Sequence, residues 1–304
     1  MRFNRGMLLD ELRELITRHA RPDSTTAIED VLISKVDAPY PPTPSMSGTV
    51  LALIAQGAKR LALGERVYEY RAGQYLLASV DMPVTGHFTE ASPERPALGF
   101  GLTLRPAAVA ELLTLADDGQ SDGSGASAGM AVSDAPEELL DAVVRLLRLL
   151  DRPRDVEVLA PLVKREILWR LITGEQGETV RQLGLTDSNL THIAGAVRWI
   201  REHYSQSFQV ADLARRTGMS VSAFHRNFQA VTAMSPIQFQ KQIRLQEARL
   251  LVATHPNEVT GVGYRVGYDS PSQFSREYRR QFGAPPSQDA ARLRPNPAPL
   301  ADPH

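Results

Sequence analysis

The spacing of apolar positions changes character along the chain. Leu8, Leu9, Leu12, Leu15 and Ile16 recur at helical intervals, so the sequence opens on an amphipathic helix. Between about residues 30 and 104 the pattern shortens to that of strands. Val50 to Ile54 is an apolar run, Gln56-Gly57 reads as a break, and Leu61 to Tyr70 reads as a hairpin turning near Gly64. Tyr75 to Leu77 and Leu98 to Leu104 supply further strands. Short strands at this density predict a small barrel or sandwich. Asp117 to Asp134 is rich in Gly, Ser and Asp without periodicity and reads as a loop or flexible connection. Helical spacing then returns. Glu137 to Leu150 is apolar around much of its circumference, which fits burial against the barrel or contact with a second copy. Val158 to Ile172 carries Leu159, Leu162, Val163, Ile167 and Leu171 on one side, and Asn189 to Tyr204 directs Ile193, Val197 and Ile200 at the core of a C-terminal helical domain.

That domain contains a repeat at a spacing of 50 residues. Ser220, Ser222, Phe224, Arg226, Phe228 and Pro236 are answered by Ser270, Ser272, Phe274, Arg276, Tyr278 and Pro286. In each copy a glycine (Gly218, Gly267) ends one short helix and a serine offers its oxygen to open a second. Aromatics at i and i+4 give that second helix a buried stripe. Ser270-Pro271-Ser272-Gln273 adds proline at the first helical position and a glutamine placed for a capping box. Helix, glycine-containing turn and capped helix make a helix-turn-helix pattern. Two in tandem predict two recognition helices over 220–231 and 270–281, joined by a helix over 236–254. Gly261 and Gly263 depart from the pattern. Glycine inside a helix costs roughly 0.5–1 kcal/mol relative to alanine, so the helix holding them should be the weaker one, unless Gly263 admits a close neighbour.

Charge agrees with a nucleic-acid role. The whole chain is nearly neutral at −1, but from Thr191 onward there are 14 lysines and arginines against eight acids. The remainder is therefore acidic and the C-terminal third basic, as attraction to phosphate requires. With no cysteine, disulfides, thiolate zinc sites and cysteine nucleophiles are excluded. No apolar run approaches membrane-spanning length and no signal-peptide pattern opens the chain, so a cytoplasmic location is expected.

Gly267 to Arg276, followed by Phe282-Gly283-Ala284-Pro285-Pro286, resembles the second motif of the AraC/XylS family of bacterial transcription regulators. Val210 to Ala214, Gly218-Met219-Ser220 and Phe224 to Phe228 are similar to its first motif. The resemblance covers roughly residues 190–292. It implies double-stranded DNA as partner, with RNA polymerase added if the protein is an activator, and base contacts from Ser222, His225 and Arg226 in one helix and Pro271, Ser272, Ser275 and Arg276 in the other. Gln56 to Arg60, Leu63-Gly64, Tyr70, Gly73 to Leu77 and Ser79 to Val84 resemble the N-terminal domain of one AraC subgroup, of the YqhC type, which implies a cupin-like fold. AraC-type proteins often dimerise through helices placed like those after residue 135.

The expected fold is thus α+β. A cupin-like β-barrel with flanking helices over 1–185 (the helical part about 135–185) precedes an all-α tandem helix-turn-helix domain over 190–292, with a disordered tail over 293–304. His87 and Glu90 are the nearby metal-ligand candidates in the barrel, too few for a catalytic metal, and no nucleophile motif is present. No metal, cofactor or catalytic residue is expected. Two coupled modules imply a regulator that binds an operator and is controlled by a small organic effector, with Gln56, Tyr70, Tyr75 and Ser79 as the polar groups that could orient it. The alternatives are a cupin-like enzyme fused to a DNA-binding domain and an effector-independent dimeric regulator.

Overall fold

The computed structural model describes residues 4–115, 128–254 and 259–293. Helix α1 (Arg5–His19) is capped by the Asn4 side chain, which accepts from the Gly6 amide, and buries the leucine stripe read from the sequence. Nine strands follow: β1 (Val31–Val36), β2 (Thr43–Met46), β3 (Val50–Gln56), β4 (Ala58–Leu63), β5 (Arg66–Arg71), β6 (Gln74–Ala78), β7 (Pro83–Glu90), β8 (Ala97–Thr103) and β9 (Met130–Asp134). They form two antiparallel sheets, β1-β8-β3-β6-β9 and β2-β7-β4-β5. The chain crosses between sheets at Gln56-Gly57, where β3 carries a bulge and Gly57 takes φ +81°, and the β4–β5 hairpin turns at Gly64 with φ +58°.

Strand alternation divides the five-stranded sheet into two unlike faces. Leu51 and Leu53 pair with Leu102 and Phe100 on one side and with Leu77 and Tyr75 on the other, giving a large-residue face. Helix α1 packs on this sheet, and α3 (Glu137–Arg148) packs on α1. The other face carries Ala52, Leu76, Gly99 and Gly101 and looks toward the four-stranded sheet, since a Cβ on Gly99 would lie 3.7 Å from Phe88 of β7.

The helical part comprises α2 (Pro106–Leu115), α3, α4 (Pro153–Ile172) and α5 (Gly177–Gly184), and α6 (Asn189–Glu202) opens the C-terminal domain. The apolar surplus of α3 goes into the core: Leu139, Leu140, Val143, Val144, Leu146 and Leu147 are all buried. Helix α4 differs. Val158, Leu159 and Leu162, two of them expected on its buried side, are exposed, as is Trp169. The expected loop over 117–134 is corrected at its end, where Met130–Asp134 pairs with β6 as edge strand β9. Composition signalled no strand there because its order comes from pairing with β6 rather than from its own residues. The rest of that stretch up to residue 127, and the tail beyond 293, lie outside the described residues.

The C-terminal domain holds α7 (Val210–Arg216), α8 (Val221–Thr232), α9 (Pro236–Thr254), α10 (Val259–Arg265), α11 (Pro271–Phe282) and α12 (Pro286–Leu293). Its two halves are not equivalent. Leu213, Phe224, Phe228 and Phe239, around the first motif, belong to an apolar core continuous with the N-terminal domain. Val252, Val262, Val266, Tyr268, Phe274 and Tyr278, around the second, form a separate core.

The candidate DNA-binding face and the N-terminal domain

Each recognition helix starts as its sequence dictates. The Ser220 hydroxyl accepts from the Ala223 amide at 3.2 Å and the Ser270 hydroxyl from the Gln273 amide at 3.3 Å. The reciprocal half of the expected capping box at Ser270 is not formed, because the Gln273 side-chain amide turns to Glu277 instead. A reciprocal box does form at Ser235, whose amide donates to Gln238 Oε1 while its hydroxyl accepts from the Gln238 amide. Both recognition helices end in the left-handed region, at Ala233 and Gly283, again 50 residues apart.

Gly263 answers the question its position raised. A Cβ there would stand 2.9 Å from Phe274 Cδ1, so glycine lets α10 lie directly against the recognition helix α11. Phe224, Phe228, Phe274 and Tyr278 are buried, and this turns Ser222, His225, Arg226, Pro271, Ser272 and Arg276 outward, with Ser275 half-buried. Among the described residues none of these outward side chains is engaged in an ion pair or a side-chain hydrogen bond. Other arginines are committed. Arg244 donates to the carbonyls of Tyr204, Ser205, Gln206 and Gly267, and Arg249 to Asp289, which also accepts from Tyr278. Burial, then the Asp289 carboxylate, hold the Tyr278 phenol far above its ordinary pKa, so this network stays protonated at the phenol.

The domains meet over several contacts. The Gly129 amide donates to the Val231 carbonyl at 3.0 Å, at the end of α8. The β4–β5 turn lies against Met234, and Gln246 of α9 donates to the Val84 carbonyl of β7 at 3.1 Å. Arg201 of α6 pairs with Asp81, which also accepts from the Gly48 amide. Beside that pair runs a cleft of about 340 Å³ lined by Ser79, Leu183, Leu190, Val197 and Arg198.

The expected effector residues do not converge. Gln56 donates to the Pro96 carbonyl at 2.8 Å. Tyr75 lies on the helix-covered face, bonded toward Ser133, which also receives Gln176 at 2.8 Å. Ser79 donates to the Gly129 carbonyl and lines the interdomain cleft. Tyr70 alone of the four stands between the sheets, across from Lys59. Sequence reasoning passed over Lys59 although a signal existed: strand alternation places it on the same side of β4 as Leu61 and Leu63. Among the described residues no group of three or more His, Asp or Glu side chains could hold a metal, and no helix is long and apolar enough to cross a membrane.

The AraC-type transcriptional regulator N-terminus family model matches residues 27–179, half of the chain, and a helix-turn-helix domain model matches 213–292. The chain belongs to the AraC-type transcriptional regulators. It is 25% identical over 154 residues to the HTH-type transcriptional activator RhaS of Escherichia fergusonii, covering 50% of this chain and 54% of that one. RhaS of Salmonella schwarzengrund is likewise 25% identical over 152 residues, 49% of this chain and 54% of the relative. The chain thus spans about half the length of the curated relatives it matches. An apo point variant of ToxT from Vibrio cholerae shares the fold with a TM-score of 0.51 at 12% identity, covering 88% of this chain and 100% of ToxT. Wild-type ToxT bound to an unsaturated fatty acid gives 0.50 at 11% identity, covering 86% and 93%.

Proposed function

We propose that this AraC-type chain is a ligand-responsive transcription regulator. Its tandem motifs read a double-stranded DNA operator through Ser222, His225 and Arg226 of α8 and Pro271, Ser272, Ser275 and Arg276 of α11, and its N-terminal domain takes up a small organic effector. The observation that carries the reading is the pair of equivalent, outward and uncommitted faces on a basic domain, each backed by a buried aromatic stripe. An arginine free of carboxylates can donate two hydrogen bonds to guanine O6 and N7. That ToxT, of the same fold, binds an unsaturated fatty acid supports the effector role, and RhaS, named an activator, favours activation with RNA polymerase as a further partner. The apolar row Val158, Leu159 and Leu162 on α4 favours a homodimer. The family is one of transcriptional regulators, and no catalytic role is assigned.

The test is operator binding by the full chain, with the operator taken from a genome-wide map of bound DNA. Arg226→Ala should relax preference at one cluster of base pairs and Arg276→Ala at another, each by about 1–3 kcal/mol, and the two clusters should lie about one helical turn apart. Inserting half a turn of DNA between them should abolish specific binding. Uniform weakening on all sequences would show instead that both arginines contact phosphate.

A further inference from the structure

The space between the two sheets holds a cation that the fold leaves without a counter-charge. Lys59 on β4 stands directly across from Tyr70 on β5 and from Phe88 on β7, so all three point inward. Its Nζ sits 5.2 Å from the centre of the Phe88 ring, and Tyr40 meets that ring edge-on at 6.4 Å between centroids. Among the described residues neither the Lys59 ammonium nor the Tyr70 hydroxyl has an ion-pair or hydrogen-bond partner. Elsewhere the fold pairs its half-buried lysines: Lys164 with Asp30 at 3.4 Å and Lys241 with Glu277 at 3.2 Å. Burial pushes the Lys59 ammonium below the ordinary lysine pKa and the Tyr40 and Tyr70 phenols above theirs. A half-buried cation lacking an anion opposes folding, so its place between the sheets calls for a reason beyond stability.

The wall facing Lys59 explains how an occupant would fit. Gly99, Gly101 and Ala52 line the inner face of the five-stranded sheet, and Ala52 and Gly101 are only half-buried although they point inward. The space between the sheets therefore opens to solvent there, where Leu32, on the same face, is also exposed.

We infer that this space is an anion-binding subsite in which Lys59 and the Tyr70 hydroxyl receive the carboxylate of a singly charged organic acid, its apolar body lying beside the Phe88 ring toward the half-buried Ala52 and Gly101. A single ammonium suits a monoanion. A phosphate or dicarboxylate would carry a second charge into an apolar interior with nothing to neutralise it. The Tyr70 phenol, kept protonated, donates the second hydrogen bond. This assignment rests on the proposed effector-binding role and names the chemistry of that effector.

The experiment uses the full chain with decanoate and phenylbutyrate as probes and their neutral primary amides as controls, followed by titration calorimetry and thermal shift. The acids should bind about tenfold or more tighter than the amides. Lys59→Met should erase that difference and yet raise the melting temperature of the ligand-free protein, since it removes an uncompensated charge. Lys59→Arg should retain acid binding and Tyr70→Phe should weaken it several-fold. Arg198→Gln, in the interdomain cleft, should bind the acids as the wild type does. The assignment is overturned if Lys59→Met binds acids unchanged, if amides bind as well as acids, if Arg198→Gln rather than Lys59→Met abolishes binding, or if no probe saturates at millimolar concentration. Should Lys59→Met fail to fold, Lys59→Arg and Tyr70→Phe still decide it. Operator affinity separates the two levels. Acid binding that depends on Lys59 without any change in operator affinity removes the effector role and leaves the site. An operator response that Lys59→Met does not alter removes the site and leaves the regulator.

Discussion

Gly261 and Gly263 lie two residues apart in α10, and the same substitution should act on them with opposite sign. A Cβ on Gly261 meets nothing within 4 Å. Gly261→Ala therefore gains the helix propensity alone, about 0.5–1 kcal/mol. At Gly263 the same gain opposes a steric cost. The added Cβ would lie 2.9 Å from Phe274 Cδ1 and 3.1 Å from Cγ. The ring is 2% exposed and is held between Tyr268 and Tyr278 at centroid separations of 5.3 and 5.6 Å, so it has little room to withdraw. Overpacking of this kind costs about 1–3 kcal/mol, which exceeds the propensity gain and leaves a net loss of roughly 1–2 kcal/mol. The second motif has its own core, so the loss should be local. Hydrogen exchange over 259–282 should quicken in Gly263→Ala and slow in Gly261→Ala, while strands β3 and β8 stay unchanged. Because α11 is the element displaced, Gly263→Ala should also lose specificity at the base pairs assigned to Arg276 and keep it at those assigned to Arg226. Equal stabilisation by both substitutions would refute the argument, since it would mean that the ring moves aside freely.

Arg244→Ala should destabilise the C-terminal domain by about 2–3 kcal/mol, because it strands the Gly267 carbonyl and leaves that of Tyr204 with Gln240 alone, and Arg244→Lys should recover only part of that. Denaturation followed by circular dichroism checks it, and a loss below about 1 kcal/mol would contradict the structural role. Gln246→Leu should weaken the docking of the domains by about 1–2 kcal/mol by removing its bond to the Val84 carbonyl. Exchange along β2 and β7 should then rise while α9 keeps its protection; unaltered exchange on β7 would show that the bond does not hold the domains together.

The DNA-binding half was legible in the sequence because its signals are local. Serine caps, i,i+4 aromatics and turn glycines each act within a few residues, and the repeat states them twice, so α8, α9 and α11 fall within a residue of expectation. The β domain was legible in its strands and less so in its site. Tyr75 and Tyr70 look alike in sequence, but strand pairing sends one to the helix-covered face and the other between the sheets. Which face is inner depends on long-range packing that alternation cannot supply. Lys59 illustrates the point from the other side. Alternation puts it on the side of Leu61 and Leu63, but that this side faces the interior follows from its register with Tyr70 and Phe88. Strand β9 escaped notice for a related reason: a five-residue edge strand draws its order from the strand it pairs with.

Register also ties the proposed effector subsite to the DNA-binding domain. Phe88, which covers Lys59, and Val84, whose carbonyl receives Gln246, are four residues apart on β7, or roughly 13 Å along a strand. Both point to the same side of the strand, so an occupant that displaces Phe88 acts on the element that grips the linker helix. That grip falls on α9 and, through Gly129 and Met234, on the end of α8, whereas the second motif sits on its own core beyond them. The N-terminal domain therefore holds one recognition helix and the spacer directly, and meets the second motif through the spacer and through the segment after α6, where Gly267 packs on the Ser205 backbone. A ligand that favours one position of β7 would then alter the disposition of the two recognition helices without touching either DNA-reading face, which is the differential contact that any coupling between effector and operator requires.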